Sequence, residues 1–328
     1  MAQIPLKSVT QTVQRILHKS GYSPEETAII SDVLMYAQMR GNNQGIVKLI
    51  GAGLPRNPNC RPPSIVHQTP ISARIDGGGS IGMVVAHYAL TVALEHAREQ
   101  GFALVGTFNS NSSTGAIGYY AGQAAQAGYI GFVFAGSGEY VAPHGAYQPL
   151  FGTNPLAVGV PTAGKPIVLD MATSAIARYG IIEAQTAGQT LPEGVAYDAA
   201  GSPTTDPTAA LAGAIRTFGG HKGGGLALMV ELLTGALVGT SRHADGRKAD
   251  WGTLTMLIDP TLLTDRDGFI ERVQQVTGLV KDAKRLPDMD EILLPGERGD
   301  RQYERVVASG VIEIEERLWD ALQAAAAG

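Results

Sequence analysis

One cysteine, Cys60, stands in 328 residues. A single thiol excludes an intramolecular disulfide framework and any multi-thiolate metal centre built from one chain. Cys60 is expected to pack or to sit at the surface. Charge of one sign is scarce too: 25 Lys and Arg against 30 Asp and Glu leave −5 at pH 7. That balance argues against nucleic acid or an acidic membrane as partner. No uninterrupted apolar run nears the ~18 residues of a membrane span. The N-terminus MAQIPLKSVTQTVQRIL lacks an apolar h-region and a small-residue cleavage site, so no signal peptide is expected and a cytoplasmic enzyme is the default. His18, His67, His87, His96 and His243 show no ligand spacing with acidic partners, and no metal is expected.

Glycine, by contrast, is abundant, with 42 residues where ~7 % is usual. The glycines cluster in short loops between apolar segments, which implies tight turns and close backbone approaches. Two helices are predicted over 7–20 and 24–50. The second opens on Ser23-Pro24-Glu25-Glu26, an N-cap with proline at the first helical position and acids in the first turn. The Pro-rich segment 55–70 is expected to be irregular. Strands follow over 71–75, 102–107, 129–135, 156–160, 167–170 and 253–258. Helices are predicted over 82–100, up to 127, and over 226–237, 266–280 and 301–326. Alternating strands and helices in the middle, with helical ends, predict an α/β fold whose termini pack together over a central domain.

Gly77-Gly78-Gly79-Ser80-Ile81-Gly82 matches the dinucleotide pattern G-x-G-x-x-G. The following strand ends Gly106-Thr107-Phe108-Asn109, without the carboxylate that a ribose requires. The match reads as a strand-to-helix turn. Gly219-Gly220-His221-Lys222-Gly223-Gly224-Gly225 is the stronger chemical signal. Backbone amides at a helix start plus a lysine suit a phosphate or pyrophosphate. No Ser or Thr follows the lysine, so it is not a magnesium-nucleotide loop. Asp170 and Asp198 are expected to serve turns or caps.

Further segments carry a resemblance over nearly the whole chain. They are Gly152-Thr153-Asn154-Pro155, Asp170-Met171-Ala172-Thr173-Ser174 with Arg178, and Leu191-Pro192-Glu193-Gly194 with Pro203-Thr204-Thr205-Asp206-Pro207. The 219–225 block and Leu294-Pro295-Gly296-Glu297 complete the set. Together they resemble the malate/L-lactate dehydrogenase family of the non-Rossmann type. The resemblance implies a homodimer, a central domain of mixed sheet binding NADPH or NADH, and an active site where it meets a helical domain formed by both termini. Residues 116–284 would form the cofactor domain, and 1–115 with 285–328 the helical, substrate-binding one. Thr153, Asn154, Ser174, Arg178, His221, Lys222, Gly223 and Gly224 would line the cofactor site. Arg178 either pairs with a 2′-phosphate, favouring NADPH, or is a solvated surface charge.

The chain departs from this family in Arg40-Gly41-Asn42-Asn43-Gln44-Gly45-Ile46-Val47-Lys48-Leu49. Family members carry Ser-His-Gly there, with histidine as proton donor and arginine four residues on for the substrate carboxylate. Here Gln44 and Lys48 replace them. A second motif, Ser-Asn-His-Phe-Gly, is replaced by Ser110-Asn111-Ser112-Ser113-Thr114-Gly115. Reduction of a ketone needs a proton, and a positioned acid is worth ~10²–10⁴-fold; glutamine supplies none.

Three roles fit. One is reduction of a small 2-imino acid, whose iminium brings its own proton, with Gln44, Ser112, Ser113 and Thr114 orienting it and Lys48 holding its carboxylate. Another is reduction of a 2-oxo acid with the proton from Lys48, His144 or a tyrosine. The third is a non-catalytic, nucleotide-binding role.

Overall fold

The computed structural model describes residues 1–241, 245–246 and 248–327; His243 lies outside the described residues. The chain opens with β1 (Ala2–Pro5), α1 (Leu6–Lys19) and α2 (Pro24–Met39). Next come β2 (Ser64–Thr69), β3 (Ser72–Asp76), α3 (Gly82–Gln100), β4 (Phe102–Ser110), α4 (Gly118–Gln126) and β5 (Ile130–Ala135). The middle holds β6 (Leu156–Val160), β7 (Ile167–Met171), α5 (Arg178–Ala187), β8 (Ala196–Tyr197), α6 (Pro207–Ala212) and β9 (Ala214–Ile215). It closes with α7 (His221–Glu231), β10 (Trp251–Ile258), α8 (Arg266–Lys281), α9 (Glu297–Ser309), β11 (Val311–Ile314) and α10 (Glu316–Ala327).

One mixed sheet of seven strands runs β2-β3-β4-β10-β5-β6-β7. Only β3 and β4 pair in parallel; the other neighbours are antiparallel. The α/β fold is thus as expected, and its sheet is not the parallel doubly wound type. Three of its strands precede residue 115 and four follow. The division at 115/116 into a helical and a cofactor-binding unit is therefore proposed as one of role, within a shared sheet. The termini do come together, since β1 pairs with β11 and α1 packs on α10.

Local sequence explains several ends. The Ser23 hydroxyl accepts from Glu26 N and the Glu26 carboxylate accepts from Ser23 N, a full capping box at α2. The helix expected over 24–50 stops at Met39. Gly41 adopts a left-handed φ of 68°, and Ile46–Leu49 form only a 3-10 turn. Apolar spacing continues past Met39, but a glycine in that conformation ends the helix. Residues 64–69, expected to be irregular, pair with β3. The helix expected over 301–326 is divided at Gly310, φ 66°, into α9, β11 and α10. Gly219 and Gly220 are left-handed, at 54° and 63°, and α7 begins directly after them, five residues earlier than its apolar run suggests.

The core joins α1, α2, α3 and α10 to the sheet, through fully buried side chains such as Leu17, Ile30, Leu34, Ile75 and Leu257. A second cluster of Val141, Ile181, Leu191, Ala196, Ala210 and Ile215 builds a small lobe from the middle of the chain. The G-x-G-x-x-G turn is filled by protein: a Cβ at Gly78 would lie 2.4 Å from Arg61 O, and one at Gly77 2.9 Å from Asn109 O.

Helix α4 lies so near the sheet that a Cβ on Gly159 of β6 would stand 2.1 Å from the Ala121 carbonyl. Gly159→Ala is expected to push α4 off the strand and destabilise by about 1–3 kcal/mol. Gly164→Ala, where no atom lies within 4 Å, is the control. Thermal unfolding of both checks this, and an unshifted Tm for Gly159→Ala would refute the close seating.

Candidate active site

Helix α2 delivers the 40–49 segment to the start of α5. Lys48 is 2 % exposed, and its Nζ lies 3.6 Å from the centroid of the Tyr179 ring. A Cβ at Gly180 would come 3.1 Å from Asn43 Nδ2, so this segment and α5 are in close contact. No salt bridge to Lys48 occurs among the described residues. Burial without a compensating carboxylate lowers its pKa to about 7. A cation–π contact offsets only part of that desolvation. Gln44 is less enclosed: its N donates to Asn42 Oδ1 at 2.9 Å, and its Nε2 donates to Asn43 Oδ1 at 3.3 Å.

Ser112, Ser113 and Thr114 follow β4 and wedge between α2 and α3. Ser112 has a φ of 65°. The Ser113 hydroxyl accepts from Gly115 N at 3.0 Å, and the Thr114 carbonyl accepts from Tyr120 Oη at 2.9 Å. A Cβ at Gly115 would strike Val33. The backbone of Ser112 and Ser113 abuts Gly82 at the start of α3 and Thr114 contacts α4, whereas Lys48 contacts α5.

The expected cofactor residues fall into two groups. Arg178 heads α5, with its guanidinium 4.0 Å from the Tyr140 ring centroid. Ser174 Oγ donates to Ile176 O at 2.8 Å just before it. His221 and Lys222 are exposed in the first turn of α7, beside His144, whose ring centroid is 6.2 Å from that of His221. Gly223 and Gly224 serve packing: a Cβ would stand 2.0 Å from Phe218 O in one case and 2.9 Å from His144 Cβ in the other. Asn154 faces the other way. It is fully buried and donates from Nδ2 to Ala227 O and to Glu231 Oε2. Thr153 N donates to Ser137 Oγ at 3.2 Å.

Several participants carried no sequence signal. Tyr179 and Tyr140 hold the two basic side chains, and Arg216 lies over Tyr197. Asp170 sits on β7 and accepts from Gly118 N at the start of α4, the capping role expected of it; desolvation raises its pKa to about 6. It borders a cavity of about 430 Å³ that reaches Asn42 and Asn43. Asp198 makes the expected turn, accepting from Ala200 N and Ser202 N.

A nicotinamide dinucleotide suits the α7 end of this region. Left-handed Gly219 has open space around it. His144, His221, Lys222, Arg178 and Arg216 supply cationic or hydrogen-bonding groups of the kind that phosphates require. The family model described as malate/L-lactate dehydrogenase matches residues 4–323. The L-sulfolactate dehydrogenase of Methanothermobacter thermautotrophicus is 37% identical, over 93% of this chain and 91% of that protein. The Delta(1)-pyrroline-2-carboxylate reductase of Pseudomonas fluorescens is 34% identical, over 87% and 89%. The solved delta1-piperideine-2-carboxylate reductase of Pseudomonas syringae pvar. tomato superposes with a TM-score of 0.81 at 30% identity, covering 99% of this chain and 100% of that one.

The buried Lys48 makes a pH prediction. Between about pH 7 and its ordinary 10.5, the unfolded chain holds a proton on Lys48 that the folded chain has lost. Stability of the ligand-free protein therefore rises with pH across that window, and the penalty is fully present below it. Lys48→Met is expected to raise Tm at neutral pH and to raise it less near pH 10. An equal shift at both would refute the depressed pKa.

Proposed function

The chain belongs to the malate/L-lactate dehydrogenase family, and we propose that this oxidoreductase reduces small cyclic 2-imino acids with NADPH or NADH. Its relatives over nearly its whole length are dehydrogenases and reductases, so the non-catalytic role falls away and a nicotinamide cofactor is implied. The observation that carries the substrate is Lys48, a buried amine with no carboxylate paired to it among the described residues. A substrate carboxylate placed there would regain the lost ion pairing and restore the ammonium form. So engaged, Lys48 holds its proton and is a poor acid. Gln44 orients through its amide but has no proton to give. The proton must then arrive on the substrate, as it does in an iminium. When bound, the reduced nicotinamide supplies the hydride.

A second substrate class, 2-oxo acids, is favoured by the pKa of Lys48, about 7. At that value lysine can protonate an alkoxide near neutral pH, provided that another cation holds the carboxylate. Arg178, at the head of α5 next to Tyr179, is the candidate for that contact, and otherwise serves the cofactor with Ser174, His221 and Lys222. Ser112, Ser113 and Thr114 are assigned to the substrate side.

Assembly as a homodimer is also proposed. Helix α8 has no buried residue and exposes Val276 and Leu279, while α7 exposes Leu228 and Met229 and the turn that continues it exposes Leu232. Apolar surface on two stretches of helix is more than a monomer usually leaves in water. Light scattering is expected to give twice the chain mass, and Leu279→Glu to shift it toward the monomer; a monomeric unaltered protein would overturn the assembly.

For the chemistry, oxidation of NADPH and NADH would be followed with five- and six-membered cyclic 2-imino acids, pyruvate and oxaloacetate, and the reverse reaction with malate and L-sulfolactate. Imino acids are expected to be the better substrates; turnover of the oxo and hydroxy acids alone would sink the imine assignment. Lys48→Ala is expected to raise KM by about 10–10²-fold, as loss of a charged hydrogen bond does, with less effect on kcat. A kcat that falls with KM unchanged would make Lys48 the acid instead.

A further inference from the structure

A buried ion pair lies behind the expected cofactor loops. Lys248 Nζ is 2.7 Å from Glu231 Oε2, with side chains 5% and 10% exposed. The same carboxylate oxygen accepts from Asn154 Nδ2 at 2.9 Å, and that amide also donates to Ala227 O at 3.0 Å. Lys248 Nζ donates to Ser137 O at 3.0 Å. Ser137 Oγ in turn accepts from Thr153 N, and Thr153 O accepts from both the N and Oγ1 of Thr173. Phe218 N donates to Thr173 O at 3.1 Å, immediately before the Gly219-Gly220 turn. One ammonium therefore joins α7, the 152–155 loop and the 136–138 loop, and through them the 173–174 and 218–220 segments. Asn154 keeps a φ of 38°, and its Oδ1 is buried without a hydrogen-bond partner. Such a conformation persists only where surrounding bonds fix it.

We infer that Lys248, acting through Glu231, is a positioning residue for the nicotinamide cofactor: the pair sets the 152–155 loop against α7 and so fixes the mouth presenting Thr153, Ser174, His221 and Lys222. Lys248 has no contact with the cofactor in this role. The inference rests on placing the cofactor at that mouth. The ammonium satisfies a buried carboxylate and a backbone carbonyl at once, and charge-assisted bonds of this kind are the strong ones in a low-dielectric interior. Methionine fills a similar volume but makes neither bond.

Fluorescence titration of the purified protein with NADPH and with NADH tests it, alongside thermal unfolding without cofactor. Lys248→Met is expected to raise the cofactor Kd about 10-fold or more, while the substrate KM at saturating cofactor changes less than about two-fold. Lys248→Arg should recover most of the affinity. A folded Lys248→Met with unaltered Kd overturns the role, as does loss of substrate KM in equal measure, which marks general damage. Should Lys248→Met fail to fold, Glu231→Gln, which keeps a hydrogen-bonding side chain, carries the same expectation and the same refutation. Failure of the unaltered protein to bind either cofactor would instead overturn the cofactor site itself, and with it this role.

Discussion

Burial of the Lys48 amine on the Tyr179 ring fixes where the N-terminal third of the chain meets its middle. Water solvates an ammonium far better than an aromatic face does, so this contact lowers the lysine pKa to about 7. The cost is borne by the packing around it: Ile46, Val47 and Leu49 are all buried, and Asn43 abuts Gly180. The segment therefore cannot turn Lys48 out to solvent without giving up that apolar burial. A buried ammonium of this kind is poised for an anion, which is the role proposed for it toward a substrate carboxylate.

The rest of the candidate site is arranged around backbone proximity. Gly159 lets α4 lie on β6, which brings Gly118 N to the Asp170 carboxylate. Gly223 and Gly224 let α7 start against Phe218 and His144, which sets His221 beside His144. At Gly159 and Gly223 glycine is needed because another residue's backbone occupies the space of its Cβ, and at Gly224 the His144 Cβ does so. The 219–225 block thus does two jobs: its first two glycines make the turn, and the next pair seats the helix.

Local signals were legible where the physics is local. The N-terminal cap at Ser23, the apolar strands β5 and β6, the Asp198 turn and the strand-to-helix turn at Gly77–Gly82 could be read from neighbours in sequence. Boundaries were misread where an apolar spacing outlasted the helix. Ile46, Val47 and Leu49 continue the pattern of α2, but Gly41 has already ended it. Gly310 divides α9 from β11 in the same way, and β11 escaped notice because its partner β1 lies at the opposite end of the chain. Of the residues expected at the cofactor, Asn154 proved to face inward, since a polar side chain before proline gives no hint of which side of a loop it will occupy.

By itself the sequence determined the family, through ordered motifs spread over nearly the whole chain, and it places Gln44 and Lys48 where the resemblance leads one to expect a histidine and an arginine. Those are statements about residue type and order, which the chain carries without folding. Only the tertiary structure decided that Lys48 is desolvated on Tyr179, that Arg178 lies on Tyr140, and that Asn154 is tied to Glu231 and Lys248. Each of these joins residues remote in sequence, and each depends on how much water the fold removes from a charged or polar group. Desolvation is a property of the packed assembly of elements, and no local pattern of residues encodes it.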